Sequence, residues 1–288
     1  MKFGLIANLK RQGAREAIMA FVKWADESSS HLVLCEELKG ITGNNLEFAE
    51  REKIAARVDI MVSMGGDGTL LAAARAVGLA DIPILGINLG SLGFLTQLTP
   101  EQLVPALNNI TSGNYQIQKR MLLKTEIAGG KKLEHPYALN DVVVDNGGIS
   151  RLIDIKLTVN GEHIVTYKAD GLVLATPTGS TAYSLAVGGP IMHPEMQAII
   201  AAPISSFSLS TRPMVFSATD VIELGIRSEH GRAGLTLDGQ VMEKLGDTDS
   251  VRVTKAEFMS RFIVFPENSF YQVLKSKLHW GIMPTAKG

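Results

Sequence analysis

The sequence contains little cysteine and no long apolar run, and both shortages exclude classes of protein. Its 288 residues include one cysteine, Cys35, which excludes an internal disulfide and a zinc site built from several cysteines. No apolar run approaches the ~20 residues that span a bilayer. Residues 1–13 (MKFGLIANLKRQG) also lack the long apolar stretch of a signal peptide. We therefore expect a cytoplasmic protein that does not enter a membrane.

An excess of charge of either sign is lacking as well. The formal net charge is -1, so no overall field attracts nucleic acid or an anionic membrane. Hydrophobic residues make up 45% of the chain and charged residues 20%, as in soluble globular proteins of one large or two ordinary domains. The six histidines show no H-E-x-x-H spacing, and Ser180 lacks the flanking glycines of a nucleophile elbow. Neither a zinc site nor a serine hydrolase is therefore indicated.

The first 98 residues alternate between short apolar runs and helical patterns. We predict strands at 3–7, 31–35, 60–64 and 82–88, and helices at 14–25, 46–56 and 70–75, the helix at 46–56 being charged and exposed. Strands that alternate with helices in this way form a parallel sheet with helices on its faces. We therefore predict an α/β domain over residues 1–98.

The pattern changes near residue 100. After one predicted helix at 101–110, apolar and polar residues alternate between Ile153 and Val159, which predicts a strand with one exposed face. Asn160-Gly161 then predicts a hairpin turn before a returning strand at 164–167. Further strands are predicted at 121–127, 139–144, 172–176, 221–226, 234–237, 251–254 and 262–265. These short strands predict a largely antiparallel β-rich domain over residues 99–266, and the tail, 267–288, is expected to pack back on the first domain.

The loop Gly65-Gly66-Asp67-Gly68-Thr69 stands between a predicted strand and a predicted helix. In an α/β sheet such a loop lies at the carboxyl edge, where ligands bind and where a helix N-terminus favours phosphate. Its three glycines let the backbone take positive φ angles and approach a ligand closely. Asp67 is unusual beside phosphate, because two negative groups repel each other. Either Asp67 caps the helix, or it accepts a proton or faces a metal ion.

A second glycine-rich loop, Gly86 to Phe94, follows the next strand and is expected at the same edge of the sheet. Neither loop is a Walker A sequence, because no Gly-Lys-Ser/Thr follows, and neither contains the G-x-G-x-x-G dinucleotide fingerprint. Asn88 is most simply interpreted as a turn residue that hydrogen-bonds to its own backbone.

Three stretches in the second half carry more polar residues than a fold requires. Asn140-Asp141 suits hydrogen bonds to a base edge or a ribose, and Asp170-Gly171 is a second acidic strand start, although ordinary turn chemistry explains both. Residues 177–190 offer hydroxyl groups, small residues and Tyr183, which can stack on a ring. The alternative for this third stretch is a short helix capped by Ser or Thr.

Together, four of these motifs closely resemble the NAD kinase family of bacteria, a branch of the GGDGT-motif kinases. Gly65 to Thr69 matches the GGDGT motif, residues 86–95 the glycine-rich second loop, Asn140-Asp141 the Asn-Glu/Asp motif, and residues 176–190 the threonine- and glycine-rich motif. Lipid kinases of the diacylglycerol and sphingosine type, and phosphofructokinases, have loops similar to GGDGT. The four motifs in this order, spread over nearly the whole chain, are specific to NAD kinases.

The resemblance implies a Rossmann-like α/β domain followed by a sandwich-like β domain, with a site between them, in a homodimer or homotetramer. It implies that ATP, with a divalent metal ion expected to be Mg²⁺, phosphorylates the adenosine 2'-hydroxyl of NAD to give NADP. No protein ligand for the metal is predicted. Nucleic acid and membranes are not expected as partners.

Carried over motif by motif, the resemblance makes Asp67 the catalytic acid/base that accepts the hydroxyl proton. The phosphate loop is then formed by Gly65, Gly66, Gly68 and Thr69. The implied NAD-binding residues are Asp67, Gly68, Asn140, Asp141, Arg151, Lys168, Asp170, Thr181, Ala182, Tyr183, Ser184, Leu185, Ala186 and Gln240. Among them, Tyr183 is expected against a ring, and a basic residue at position 168 favours NAD over NADH.

The sequence leaves the phosphoryl donor open between ATP, another nucleoside triphosphate and inorganic polyphosphate. Two other functions are compatible with a GGDGT loop or a dinucleotide site, but each leaves one feature unexplained. A lipid kinase that shares the GGDGT loop leaves Asn140-Asp141 and Thr181-Ala182-Tyr183 without a role. A non-catalytic dinucleotide-binding regulator leaves the carboxylate of Asp67 unexplained.

Overall fold

The computed structural model describes residues 1–43, 46–90, 93–96, 98–148, 151–246, 249–266 and 269–278. The chain divides into two units, one formed by Met1–Gln118 with Arg261–Gly288 and the other by Lys119–Ser260. The expected boundary between residues 98 and 99 falls inside the first unit. The helix that follows it belongs there because Asn108 accepts a 2.8 Å hydrogen bond from the indole N–H of Trp24.

The helices are α1 (Ala14–Glu27), α2 (Lys39–Thr42), α3 (Asp67–Val77), α4 (Leu103–Thr111), α5 (Tyr183–Ala186) and α6 (Phe270–Leu278). The strands that begin in the first unit are β1 (Lys2–Ala7), β2 (His31–Cys35), β3 (Glu47–Ala49), β4 (Ile60–Gly65), β5 (Ile84–Asn88) and β6 (Gln116–Ile127). The remaining strands are β7 (Tyr137–Ala138), β8 (Asp141–Asp145), β9 (Ile153–Val159), β10 (Glu162–Ala169), β11 (Gly171–Ala175), β12 (Ala198–Ile204), β13 (Met214–Ser217), β14 (Ile222–Arg227), β15 (Ala233–Leu237), β16 (Val241–Leu245) and β17 (Ser250–Val264). None of the helices in the described ranges combines the length and apolar composition needed to cross a bilayer.

The first unit contains the predicted parallel sheet. Its strands lie in the order β3-β2-β1-β4-β5, all parallel, and Phe262 of β17 pairs with Ile84 beside β5. Strand β4 is buried along its whole length, as expected of a strand covered on both faces. The carboxyl ends of β1, β4 and β5 therefore lie together at one edge of the sheet.

The predicted helix at 46–56 is wrong. Residues Glu47–Ala49 form β3, which pairs in parallel with β2, and Ile54–Arg57 form a single 3-10 turn. Glu47 accepts hydrogen bonds from His31 at 2.7 Å and from Arg57 at 3.3 Å, contacts that hold this segment against the sheet edge. The charged pattern indicated an exposed surface correctly but did not reveal the extended backbone.

The second unit is an antiparallel β structure with two sheets. One has the order β13-β12-β11-β8-β15-β16, and the other contains β10-β9-β14-β17, with β6 pairing to β17 and β7. A single core joins their inner faces, contributed for example by Val144 and Leu172 from one sheet and by Leu157 and Leu224 from the other. This is the predicted sandwich-like arrangement.

The predicted hairpin is confirmed. Strands β9 and β10 pair in antiparallel register, and the turn between them has positive φ at both Asn160 (51°) and Gly161 (84°), as a type I′ turn requires. Along β9 every second residue, from Ile153 to Val159, is buried. The period-two pattern therefore reports the buried face correctly.

Candidate functional site

The GGDGT loop lies where expected, between β4 and α3, but its glycines serve close approach and not positive φ. None of Gly65, Gly66 and Gly68 is among the residues with positive φ, so the loop does not use the left-handed conformation that glycine permits. A methyl group on Gly65 would lie 2.1 Å from the hydroxyl oxygen of Thr69. Position 65 therefore excludes any side chain because the first turn of α3 folds directly back over it.

The carboxylate of Asp67 is held by the second glycine-rich loop. Its Oδ1 accepts hydrogen bonds from the N–H of Leu95 and of Thr96, both at 3.1 Å, and from the Thr96 hydroxyl at 3.0 Å. Its Oδ2 accepts one hydrogen bond, from the N–H of Phe94 at 2.9 Å. Asp67 therefore does not cap α3, since its partners lie 27 to 29 residues away.

Gly93 makes this arrangement possible. A methyl group on Gly93 would lie 2.0 Å from Asp67 Oδ1 and 2.5 Å from the Thr96 hydroxyl oxygen. Asn88 supports the same loop, because its Nδ2 donates to Thr96 Oγ1 at 2.8 Å while its Oδ1 accepts the N–H of Gly90 at 2.7 Å. The second of these bonds confirms the predicted turn role of Asn88. Residues 91, 92 and 97 of this region lie outside the described part of the chain.

Arg11 is a residue at this edge that sequence reasoning missed. Methyl groups built on Gly66 and Gly90 would lie 3.5 Å and 3.6 Å from its two terminal guanidinium nitrogens. The available signal is the position of Arg11 just after β1, since β1 and β4 are parallel neighbours whose following loops share one edge. The site thus places a cation beside both glycine loops.

The second unit contains a separate cavity of about 350 Å³. Four predicted residues line it: Asn140, Asp141, Ala182 and Tyr183. Its other lining residues are Val143, Asp145, Thr236, Asp238 and Gly239. The cavity therefore gathers the Asn-Asp motif, the small-residue motif and the β15–β16 turn, which are distant in sequence.

Asp238 organises the backbone of the Asn-Asp motif. Its Oδ1 accepts the N–H groups of Asn140 at 2.7 Å and Asp141 at 3.2 Å, and its Oδ2 accepts that of Leu139 at 2.9 Å. Asp238 and Gly239 have φ of 52° and 64° and are the central residues of a turn in which the N–H of Gln240 donates to the carbonyl of Leu237 at 3.0 Å. This turn lies within the three-residue loop 238–240 between β15 and β16, and Asp-Gly is a strong sequence signal for a turn of this kind. That signal identifies the turn but not the carboxylate's partners.

Asp141 is the most perturbed carboxylate at the cavity. It is 5% exposed, and this burial, together with the negative charge of Asp238, raises its pKa to about 7. A hydrogen bond from the N–H of Tyr183 acts in the opposite direction. A carboxyl group that titrates near neutrality inside a cavity is typical of functional sites.

The stretch 177–190 is a 3-10 turn, Gly179–Thr181, followed by the single turn α5. A methyl group on Gly179 would lie 2.0 Å from the carbonyl oxygen of Asn140, so this turn packs directly on the Asn-Asp motif. Ser180 is internal, since its hydroxyl donates to the carbonyl of Pro177 at 2.6 Å. Tyr183 is 43% exposed and lines the cavity.

The other predicted NAD-binding residues of this unit lie outside the cavity lining. Asp170 accepts a 3.3 Å hydrogen bond from Asn146, and Thr181 donates to the carbonyl of Thr178 at 3.2 Å. Ser184 is buried and Leu185 half-buried. The exposed members are Arg151, Lys168, Ala186 and Gln240.

Comparison with known proteins gives a consistent result for both units. A family model described as the ATP-NAD kinase N-terminal domain matches residues 3–115, and one described as the ATP-NAD kinase C-terminal domain matches residues 139–265. A curated protein named NAD kinase from Geotalea daltonii is 42% identical over 234 residues, covering 81% of this chain and 82% of the relative. One of the same name from Moorella thermoacetica is 38% identical over 281 residues, covering 97% and 90%.

Two solved structures share the fold. A yeast NADH kinase complexed with NADH aligns with a TM-score of 0.91 and 24% identity, covering 100% of this chain and 90% of the other. An NAD kinase from Archaeoglobus fulgidus in complex with ATP aligns with a TM-score of 0.79 and 24% identity, covering 97% and 99%. At this identity the two structures bear on the fold alone.

Proposed function

The chain belongs to the ATP-NAD kinase family, whose members phosphorylate NAD, and on this premise we propose that it transfers the γ-phosphoryl group of ATP to the adenosine 2'-hydroxyl of NAD. The observation that carries the proposal is the family match over both units, residues 3–115 and 139–265. A lipid kinase is not favoured, because a lipid gives no role to the amide and carboxylate side chains that line the cavity of the second unit.

Asp67 is the residue that accepts the hydroxyl proton in this proposal. In phosphoryl transfer most catalysis comes from positioning and charge neutralisation, and a carboxylate orients the attacking hydroxyl. Two observations support Asp67: its carboxylate is fixed by four hydrogen bonds, and Oδ2 accepts only one of them. Oδ2 therefore retains acceptor capacity for the substrate proton.

The glycine loops of the first unit bind the phosphoryl donor in this proposal. Gly65, Gly66, Gly68 and Thr69 form the phosphate loop at the start of α3, where backbone N–H groups and the helix dipole favour anions. Arg11 supplies a positive charge beside them; it forms no ion pair within the part of the chain that the structure describes. The donor is ATP, for which the family is named.

The divalent metal ion enters as part of the donor. Within the described residues, no group of three or more His, Cys, Asp or Glu side chains is arranged to hold a metal ion. Mg²⁺ in such enzymes is held largely by substrate phosphates and water. We therefore assign it to a MgATP substrate complex and assign no protein ligand.

The cavity of the second unit binds NAD in this proposal. Asn140 and the ionised form of Asp141 hydrogen-bond the adenosine half, and Tyr183 lies against a ring of the ligand. The buried Oδ1 of Asn140 has no hydrogen-bond partner among the described residues, and a ligand donor would satisfy it. The remaining contacts proposed from the family resemblance are Asp67, Gly68, Arg151, Lys168, Asp170, Thr181, Ala182, Ser184, Leu185, Ala186 and Gln240.

We further propose a homodimer or homotetramer in the cytoplasm. Exposed apolar side chains in the second unit support assembly: Phe207, Leu209 and Met242 are 75%, 92% and 77% exposed. Phe207 and Leu209 lie in the same segment between β12 and β13, and a contiguous exposed apolar patch is commonly covered by another protein surface. Sedimentation of the purified chain tests the assembly directly.

The function is tested by incubating the protein with NAD, ATP and magnesium and detecting NADP with a dehydrogenase that accepts only NADP. We expect NADP to form, and we expect Asp67→Asn to lower kcat by on the order of 100-fold or more while NAD affinity changes little. A wild-type protein that binds NAD without producing NADP would instead support the regulator, and phosphorylation of a lipid in a parallel assay would support the lipid kinase. Equal losses of kcat and affinity in the variant would make Asp67 a binding residue.

A further inference from the structure

We infer that Asn88 and Thr96 are positioning residues that orient the Asp67 carboxylate, so that Oδ2, and not Oδ1, receives the substrate proton. This inference rests on the proposed function of Asp67 as the proton acceptor. It assigns a role to two buried polar residues that the general mechanism does not use.

The orientation starts at Asn88, whose amide can adopt only one of its two flipped states. The N–H of Gly90 lies 2.7 Å from Asn88 Oδ1, and a backbone N–H needs an acceptor, which only the amide oxygen provides. The amide nitrogen must therefore occupy the other side. It lies 2.8 Å from Thr96 Oγ1 and donates a hydrogen bond to it.

Thr96 extends this series of hydrogen bonds from Asn88 to Asp67, with the same donor-to-acceptor direction. A threonine hydroxyl has one hydrogen, and its oxygen already accepts the hydrogen bond from Asn88. The hydroxyl hydrogen is therefore free to point at Asp67 Oδ1, which lies 3.0 Å away. The result is a chain of hydrogen bonds with one polarity, from Gly90 through Asn88 and Thr96 to Asp67.

This series of hydrogen bonds gives the two carboxylate oxygens of Asp67 different roles. Oδ1 accepts three hydrogen bonds, from Leu95, Thr96 N–H and the Thr96 hydroxyl, whereas Oδ2 accepts one from Phe94. Each carboxylate oxygen has about two lone-pair directions, so Oδ1 is saturated. Protonation of Oδ1 would also place its hydrogen against three donors, which leaves Oδ2 as the proton acceptor.

Burial of Asn88 and Thr96 makes this series of hydrogen bonds rigid. Asn88 is 3% exposed and Thr96 is fully buried, so water does not compete for their hydrogen bonds. The packing is also tight: a methyl group on Gly86 would lie 3.2 Å from Thr96 Cγ2, and one on Gly93 would lie 2.5 Å from Thr96 Oγ1. The Thr96 side chain can therefore neither swing its hydroxyl oxygen elsewhere nor move away from Asp67, and only the direction of its O–H bond can change.

The test is the substitution Thr96→Val, which keeps the shape of the side chain and removes the hydroxyl. We expect kcat for NADP formation to fall about 10- to 100-fold, as for a misplaced catalytic group, with KM for NAD changed less than about two-fold because the proposed NAD cavity is untouched. Thr96→Ser restores the hydroxyl and should recover most of the lost kcat. Thr125→Val is the matched control, because Thr125 is a buried threonine whose hydroxyl has no hydrogen-bond partner among the described residues.

A double-mutant cycle separates positioning from a general loss of structure. If Thr96 acts through Asp67, Thr96→Val should cause little further loss of kcat in an Asp67→Asn background. Additive losses, or an unchanged kcat in a folded Thr96→Val protein, would overturn the inference while leaving the NAD kinase activity of the wild type intact. An inactive wild type would instead refute the proposed function.

If Thr96→Val does not fold, Asn88→Asp tests the same series of hydrogen bonds by changing the residue that donates to Thr96. The new carboxylate still accepts the N–H of Gly90, but it offers an acceptor to Thr96 in place of a donor. The Thr96 hydroxyl would then turn from Asp67 towards position 88, and we expect a loss of kcat of about ten-fold or more. Full kcat in this variant would contradict the inference.

Discussion

Replacing Asp141 by asparagine should stabilise the protein in the absence of NAD, and the gain should grow with pH. The folded protein holds this carboxyl group at a pKa of about 7, against 3.8 for an exposed aspartate. The folded state therefore binds a proton that the unfolded chain releases between these two values. Stability falls as pH rises through this window, because the proton must be lost from a site that disfavours the charge. Asparagine resembles the protonated acid and does not titrate.

The pKa difference sets the size of the effect. At about 1.4 kcal/mol per pKa unit, the interval from 3.8 to about 7 corresponds to about 4 kcal/mol of free energy of unfolding above pH 7. Between pH 5 and pH 8 the advantage of Asp141→Asn should grow by about 2.5 kcal/mol.

Urea unfolding of the ligand-free protein at several pH values between 5 and 8 measures the effect. Asp154→Asn is the control, since it removes one carboxylate from a partly exposed position on β9 of the same unit. A stability difference between Asp141→Asn and wild type that stays constant across this range would refute the reasoning. The substitution should also raise KM for NAD, because in the proposed site the ionised carboxylate accepts a ligand hydrogen bond and the amide would do so less strongly.

Two further substitutions test the first unit. Gly93→Ala should lower stability by about 1–3 kcal/mol and reduce kcat in the NADP assay, because its methyl group would lie 2.0 Å from Asp67 Oδ1; Gly40→Ala, where no atom lies within 4 Å, should change neither. Arg11→Ala should raise KM for ATP about ten-fold, the value of a lost charge-assisted hydrogen bond, with a much smaller effect on KM for NAD. Arg15→Ala on the exposed side of α1 serves as its control, and equal changes in the two variants would remove Arg11 from the donor site.

Sequence patterns predicted the strands well where the spacing of apolar residues directly reflects which faces of the strand are buried. The apolar run of β4 and the alternation of β9 follow from burial on two faces and on one face, so both strands were found with nearly correct bounds. Strand β12 was missed. Its sequence AIIAAPI contains Pro203 and three alanines, and it is a strand because it pairs with β11 and β13. Such pairing is decided by distant residues and leaves little trace in the local sequence.

The candidate site likewise has features that the local sequence predicted and features that depend on distant residues. Chain order and parallel strands placed the GGDGT loop and the second glycine loop at one edge, as observed. The hydrogen bonds from residues 94–96 to Asp67, and from residues 139–141 to Asp238, join positions 27 to 99 residues apart. No local propensity encodes them, and a glycine such as Gly93 reveals its purpose only when the neighbouring carboxylate is seen.

The two units share one hydrogen-bonding arrangement, which has a different consequence in each. Asp67 and Asp238 each accept hydrogen bonds from three consecutive backbone N–H groups, those of residues 94–96 and 139–141 respectively. In the first unit the proposed reactive group is the carboxylate and the loop holds it. In the second unit the carboxylate holds the loop, and the proposed ligand-binding side chains, Asn140 and Asp141, project from that loop. Loss of Asp67 therefore removes a chemical group, whereas loss of Asp238 removes the framework that places two others. It also removes the negative charge that helps to keep Asp141 protonated near neutrality, so the proposed NAD binding and the ionisation of Asp141 should be coupled through Asp238.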